Sequence, residues 1–500
     1  MSLLILPILI PLSAAIGAFF CGRRRLWQTY VSVGGSVLQL GACAMLLATV
    51  HRSGIQAEQM GGWPAPFGIT LVVDHLSAIM LVIAALIGLA ANIYALADID
   101  RRYQALGFHP LFQILIAGIC GAFLTGDLFN LYVWFEVMLM ASFGLLVMGG
   151  TQRQLDGGVK YVTLNLIATL MFLTGLALLY AMTGTLNMAD LHLKVQASGH
   201  PALITSVAML FIMAFGLKAG LFPLFFWLPA SYHTPPPAIA AVFAGLLTKV
   251  GVYALLRVFT LIFTRDVAAT HSLLLIMACL TMLTGVLGAA VQTEFRRILG
   301  FHIISQVGYM VLGLGLLTPL ALAGSVFYLI HHIIVKANLF LISGLANRIG
   351  GSDALDALGG LYRRAGGLAV LFVIPAFSLA GFPPLSGFWA KFILLKASFE
   401  AGAYLAGAVA LVVGLLTVYS MTKIWIAVFW APPPEGASRN SIAQQDRWAV
   451  PALVVPVAVL AALTVAIGIG AQPLMDLALI AADELLAPER YVQAVMGGGP

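Results

Sequence analysis

Charge is what this sequence has least of. Of its 500 residues only 9% are Asp, Glu, Lys or Arg, while 61% are hydrophobic, whereas a soluble domain carries about 25% charged residues. That balance excludes a water-soluble fold. Cysteine is scarce as well: Cys21, Cys43, Cys120 and Cys279 are scattered through apolar stretches without metal-type spacing, so they read as small buried hydrophobes. No GxGxxG between a strand and a helix, no GxxxxGK[ST] and no CxxC occurs, which leaves no nucleotide or iron–sulfur site. No cofactor is expected, and nothing marks a metal site.

What the chain has instead is apolar length. About fourteen segments are long enough to span a bilayer, from residues 2–20 through 449–470, given that ~20 helical residues cross the hydrocarbon. Lipid offers backbone amides no partners, and these runs are too long and too uniformly apolar for barrel strands. Helices are the only spanning structure left. The expected fold is an all-α polytopic membrane protein of about 14 transmembrane helices.

Orientation follows from the basic residues. Connectors after odd-numbered spans carry Arg23, Arg24, Arg25, Arg101, Arg102, Arg153, Lys160, Arg296, Arg297, Arg348, Arg363, Arg364, Arg439 and Arg447. Those after even-numbered spans carry Arg52, Lys194 and Arg265. Basic loops stay inside, so odd loops are expected in the cytoplasm and both termini outside, in a cell (inner) membrane. The same asymmetry accounts for the net charge of +6, and no nucleic acid is needed to explain it. The first span lacks a basic n-region and a short h-region ahead of an A-x-A site, so it is expected to be retained.

The ionisable residues inside the spans are few. Glu136 lies within "LYVWFEVMLMASFGLLVM" (131–148), about nine residues into its helix, which at 1.5 Å per residue is ~13 Å deep. Lys218, Lys249, Lys336 and Lys391 occupy the interiors of the seventh, eighth, eleventh and twelfth spans, joined by His302, His331 and His332. A charge at such depth costs about 3 kcal/mol on insertion scales and must face a partner or water. A lone lysine can snorkel, as Lys396 and Lys423 near helix ends are expected to do, and a lone histidine is commonly a packing residue. Glu136 with four central lysines points instead to an ion pathway. Buried lysines and carboxylates exchange protons near neutral pH when a neighbouring charge moves. His332 and Lys336, four apart, share one helix face, as do His302 and Gln306.

Two spans carry breaks. "FGLKAGLFPLFFWLP" (215–229) places Pro223 and Pro229 in the seventh, and "LAGFPPLSGFWAKFILL" (379–395) places Pro383, Pro384 and Gly387 in the twelfth. Proline opens the helix and leaves half-helix ends that line cavities. Broken spans five apart imply two inverted five-helix repeats. The expected organisation is helices 1–3 in residues 1–107, a first repeat in 108–263 and a second in 271–430. Residues 431–500 supply a cytoplasmic loop, the last helix and a tail to which no function is assigned.

At this point the residues carry a resemblance. "GAFLTGDLFNLYVWFEVMLMASFGLLV" (121–147), "KYVTLNLIATLMFLTGLALLYAMTGTLNMADL" (160–191), "FGLKAGLFPLFFWLPASYHTPPP" (215–237), "LLTKVGVYALLR" (246–257) and "GFPPLSGFWAKF" (381–392) resemble the antiporter-like subunits shared by Mrp-type sodium/proton antiporters and the proton-pumping arm of complex I. "LTGDLFNL" and "TGTLNMADL" are similar to the D-type branch of the Mrp subunits. The resemblance implies an ion-translocating, non-enzymatic subunit of a hetero-oligomeric membrane complex, exchanging H+ for Na+ through a relay of Glu136, Lys218, Lys249, His332, Lys336 and Lys391. It makes Lys218 the partner whose charge Glu136 holds. The alternative is a proton-pumping subunit of a complex I-like oxidoreductase or membrane-bound hydrogenase. Some complex I members carry glutamate where this chain has Lys391.

Overall fold

In hydrocarbon a helix satisfies its own backbone, and the apolar runs fold accordingly. The computed structural model describes residues 3–22, 24–433 and 449–497; Arg23, Arg439 and Arg447 lie outside the described residues. Among these, twelve helices are long and apolar enough to cross a membrane, from Leu3–Phe20 to Val450–Ile469, and Phe108–Leu124 and Gly366–Ala380 are shorter apolar helices. The chain is a multi-span helical membrane protein.

Burial sorts these helices into centre and periphery. The most apolar windows of Pro237–Leu261 and Pro319–Gly350 are wholly buried, whereas those of Leu3–Phe20, Gln152–Thr183 and Tyr404–Trp430 are 39% buried and so turn much of their surface outward. The two central helices are also the ones that carry Lys249, His331, His332 and Lys336. The fold therefore puts its costliest residues where protein surrounds them.

Both expected breaks are present and are built alike. Pro201–Ala219 ends at Gly220, whose φ of +82° favours glycine, and the amides of Gly220 and Leu221 both bond the carbonyl of Gly216. Pro223 follows, and helix resumes at Trp227–Ser231. Gly366–Ala380 ends at Gly381 (φ +97°), with the amides of Gly381 and Phe382 both on the carbonyl of Phe377. Pro383 and Pro384 follow, and helix resumes at Ser386–Glu400.

A second likeness lies in the connectors. Leu128 N–H bonds Leu186 C=O and Met188 N–H bonds Gly126 C=O; Phe295 N–H bonds Asp353 C=O and Leu355 N–H bonds Thr293 C=O in the same pattern. Gly126 and Asp127 also adjoin a small hairpin of Gln56–Gln59 and Thr70–Val73, through Gly126 N–H on Thr70 C=O. The tail forms two helices, Gln472–Leu485 and Pro488–Met496. They pack back on the protein, with Glu484 and Tyr491 buried.

Candidate functional site

Asp127 caps the Leu128–Val147 helix by accepting from the Asn130 amide, and Glu136 falls in its middle. The carboxylate does not touch Lys218. Thr169, from the Gln152–Thr183 helix, stands between them: its hydroxyl donates to Glu136 Oε1 at 2.7 Å and accepts from Lys218 Nζ at 3.2 Å. No Glu136–Lys218 contact of salt-bridge length exists among the described residues; the two groups that the resemblance pairs are joined through the threonine hydroxyl. The Lys218 ammonium also lies 4.6 Å from the centre of the Phe135 ring. A cavity of about 30 Å³ adjoins Lys218, lined in part by Tyr161, Asn165, Trp227, Tyr232 and Leu247, which is room for a water.

Lys249 begins where its helix is distorted. Phe243–Leu247 is a π-helical turn, a feature that concentrates at functional sites, and Lys249 Nζ donates back into it, to the Ala244 carbonyl. Two residues on, Gly251 packs against the Lys218 helix so closely that a Cβ there would sit 2.6 Å from the Ala219 amide nitrogen. A glycine is needed at this approach. It brings the Lys218 and Lys249 helices together.

Lys249, Lys336, His302, His331, His332 and Lys391 form a second group. His332 lies within electrostatic reach of Lys249, Lys336, His331 and His302, and Lys391 within reach of His302 and His331. Both ring nitrogens of His302 and of His332, and the Nζ of Lys336, have no hydrogen-bond partner among the described residues. Buried polar groups are nearly always bonded, so this cluster of unpartnered nitrogens departs from the ordinary pattern of a protein interior. Aromatic rings run alongside it: Tyr309 stacks on Tyr328 at 5.1 Å, Tyr328 lies 6.5 Å from His332, and its hydroxyl donates to Gln306.

The broken helix of the second half offers its two ends to different residues. Lys391 Nζ donates to the carbonyl of Ala380, the last residue before the break, at 3.0 Å, where the helix end carries partial negative charge. His331 Nδ1 bonds Ser386 Oγ at 2.8 Å, where helix resumes, and Ser386 Oγ is 3.1 Å from Ser378 Oγ. Lys218 precedes its break and Lys391 follows its own, so the two lysines are not at equivalent positions. Lys391 also lines an open groove of about 520 Å³ along Ala380–Pro383, Phe388, Phe392, Ala410, Leu411 and Gly414. It thus faces the edge of the chain.

Sequence reasoning passed over several polar residues now in place around the six candidates. Thr169 bonds both Glu136 and Lys218, Asn165 lines the cavity at Lys218, Ser386 bonds His331 beside His332, and Asn338, two residues from Lys336, is fully buried with no partner for either amide atom among the described residues. The signal that could have found them is the same: small polar residues in otherwise apolar spans. Lys396 pairs with Glu400 at 3.7 Å on an exposed face, and Lys423 donates to the carbonyls of Ala290 and Gln292, as helix-end lysines do.

Comparison with known proteins gives these positions a family. Residues 125–417 match the model of the NADH:quinone oxidoreductase/Mrp antiporter transmembrane family. The chain is 47% identical over 495 residues to the D-type subunit of the Na(+)/H(+) antiporter of Alkalihalophilus pseudofirmus (99% of each chain). It is 40% identical over 492 residues to that of Bacillus subtilis (98% of this chain, 99% of the relative). A chain in the structure of the Mrp complex from Dietzia sp. DQ12-45-1b superposes with a TM-score of 0.90 at 34% identity over 99% of both chains. One from an archaeal membrane-bound sulfane sulfur reductase gives 0.91 at 26% identity, over 99% of this chain and 100% of that one. A complex I chain from Thermus thermophilus, 24% identical at a TM-score of 0.79 over 97% and 100%, shares the fold. The chain therefore belongs to the NADH:quinone oxidoreductase/Mrp antiporter transmembrane family, where its similarity runs to the D-type antiporter members.

Proposed function

We propose that this chain is the ion-translocating membrane subunit of a multisubunit sodium (cation)/proton antiporter, and that protons move through Glu136, Lys218, Lys249, His332, Lys336 and Lys391. The observation that carries this reading is the placement of six titratable residues on apolar helices in two groups, five of them buried and Glu136 half-buried, with helices broken beside Lys218 and Lys391. Such groups cost several kcal/mol each unless paired or wetted, and a packing role does not require so many together. The relatives' names supply the two ions, and the direction proposed is protons inward against sodium outward.

In this reading residues 108–263 and 271–430 are inverted repeats, each with its own half-route, and residues 1–107 and 431–500 flank them. Recurrence of the break and of the connector pattern supports the division. Both termini lie outside and the loop at Arg363 in the cytoplasm of a cell-membrane complex. Companion subunits complete the exchanger, so activity belongs to the assembly. A second reading, a proton-pumping subunit of a complex I-like or hydrogenase-like complex, has the 0.91 TM-score of the sulfane sulfur reductase chain in its favour. Co-purifying subunits separate the two: small membrane proteins support the antiporter, flavin- and cluster-bearing chains the redox complex.

The test is sodium-dependent proton movement in everted vesicles from a host lacking its own exchangers, with all subunits co-expressed. Glu136→Ala and Lys218→Ala are expected to abolish exchange while the complex assembles. Normal exchange in an assembled Glu136→Ala complex would overturn the relay.

A further inference from the structure

Thr169 is a threonine on a membrane-spanning helix, and such residues ordinarily bond back to the carbonyl four residues earlier. Its neighbours do this: Thr174 donates to Leu170 C=O at 2.8 Å and Thr183 to Leu179 C=O at 2.7 Å. Thr169 gives its only hydrogen to Glu136 Oε1 at 2.7 Å, and its oxygen accepts from Lys218 Nζ at 3.2 Å. It is buried, at 6% exposure. The hydrogens thus run in one direction, from ammonium to hydroxyl to carboxylate.

We propose that the Thr169 hydroxyl carries the proton exchanged between Lys218 and Glu136, an inference that rests on the relay reading above. In the transfer, the Lys218 N–H bond breaks as a new O–H bond forms on Thr169. The original Thr169 O–H bond breaks as one forms on the Glu136 carboxylate. The products are a neutral amine, an unchanged threonine and a carboxylic acid; the electron pair of the N–H bond stays on nitrogen, and no other reactant is needed. The hydroxyl need never be ionised, since it gains one proton as it loses another. A single oxygen at hydrogen-bond distance from both groups makes each hop short, which proton transfer requires. It also spares the carboxylate and ammonium from having to meet, so discharging the pair needs no large side-chain movement. The reverse transfer runs through the same bonds without reorientation, because the proton newly held by Thr169 faces Lys218 and that of Glu136 faces Thr169; a second transfer in the forward direction requires the hydroxyl to turn back toward Glu136.

The experiment compares Thr169→Ser, which keeps the hydroxyl, with Thr169→Val, which keeps the shape, in the complete complex. Sodium-dependent proton exchange is read in everted vesicles and assembly by co-purification. Thr169→Ser is expected to retain most exchange and Thr169→Val to lose about a hundredfold, within the range a positioned proton carrier contributes. Exchange retained in Thr169→Val, or lost equally in Thr169→Ser, would overturn the assignment. If the valine variant does not assemble, Thr169→Ala decides on the same terms. Glu136→Gln in the same vesicles separates the two levels: if it exchanges normally the relay reading itself fails, whereas if it is inactive and Thr169→Val is active, only the threonine's role falls.

Discussion

Asp74 and Arg257 form an ion pair 2.6 Å long with 2% and 5% of their side chains exposed. Asp74 stands just ahead of the His75–Asp98 helix and also accepts from the Ser77 amide as its N-cap. Arg257 lies two turns beyond Lys249 on the same central helix and rests 5.3 Å from the ring of Tyr491 in the tail. Hairpin, central helix and tail meet at this pair. Removing one member strands a buried charge, at a cost of about 3–5 kcal/mol. Asp74→Ala is therefore expected to lower the thermal unfolding temperature of the assembled complex markedly, whereas exchange of an exposed pair such as Lys160–Asp156 leaves it nearly unmoved.

The same carboxylate gives a pH dependence. Burial pushes Asp74 up, but the charge of Arg257 and hydrogen bonds from Ser77 and Arg257 outweigh it and hold the group below the ordinary carboxylate value. A carboxyl held low contributes stability that is complete above the ordinary value and is lost as pH falls through the lowered one. Unfolding temperature measured against pH should stay level from neutral to mildly acidic and then drop. In Asp74→Asn it should start lower and lack Asp74's share of that drop; an identical acid limb in the variant would refute the assignment.

Gly251 predicts a steric effect. A Cβ there meets backbone of the Lys218 helix at 2.6 to 3.0 Å, and backbone yields poorly. Gly251→Ala should force the two helices apart and cost about 1–3 kcal/mol. Exchange should fall with it, because the contact sets the separation of Lys218 and Lys249. Unfolding and vesicle assays on the same preparation check both.

Lys391 is expected to fail as arginine. Guanidinium does not release its proton in proteins, and a station that must cycle cannot use a fixed cation, whereas one that only binds the Ala380 carbonyl can. Lys391→Arg should lose most exchange at normal expression. Near-normal exchange would make Lys391 a structural charge.

Orientation is tested at Arg363, an exposed position. A cysteine placed there is expected to react with impermeant reagent only from the cytoplasmic side. Labelling from outside alone would reverse the assigned topology.

The spans, their breaks and the six candidates were legible in the sequence because each violates a strong expectation: apolar length in a chain of scarce charge, proline within a span, a carboxylate or ammonium at depth. Thr169 was not, since threonine is unremarked in a membrane helix, and its role depends on which way its hydroxyl turns. The unequal placement of Lys218 and Lys391 about their breaks was also hidden, because proline marks a break without showing where the helix ends; Gly220 and Gly381 do that through their φ angles. The tail was the least readable part. Its helices are short, and their hold depends on distant partners, such as the His75 amide and ring nitrogen on the carboxylate of Glu484.

The matching connectors, Gly126–Leu128 with Leu186–Met188 and Thr293–Phe295 with Asp353–Leu355, are each joined by the same pair of main-chain bonds. Such bonds are blind to side-chain identity. Asp127 and Glu294 hold equivalent places, as do Asn187 and Ala354, and the amide-to-carbonyl frame is the same for both. Side chains on this frame are free to change without disturbing it, so it fixes the geometry of both connectors and not their residues. Around one break stand a carboxylate, a hydroxyl and a lysine, and around the other a histidine, two serines and a lysine held by a carbonyl.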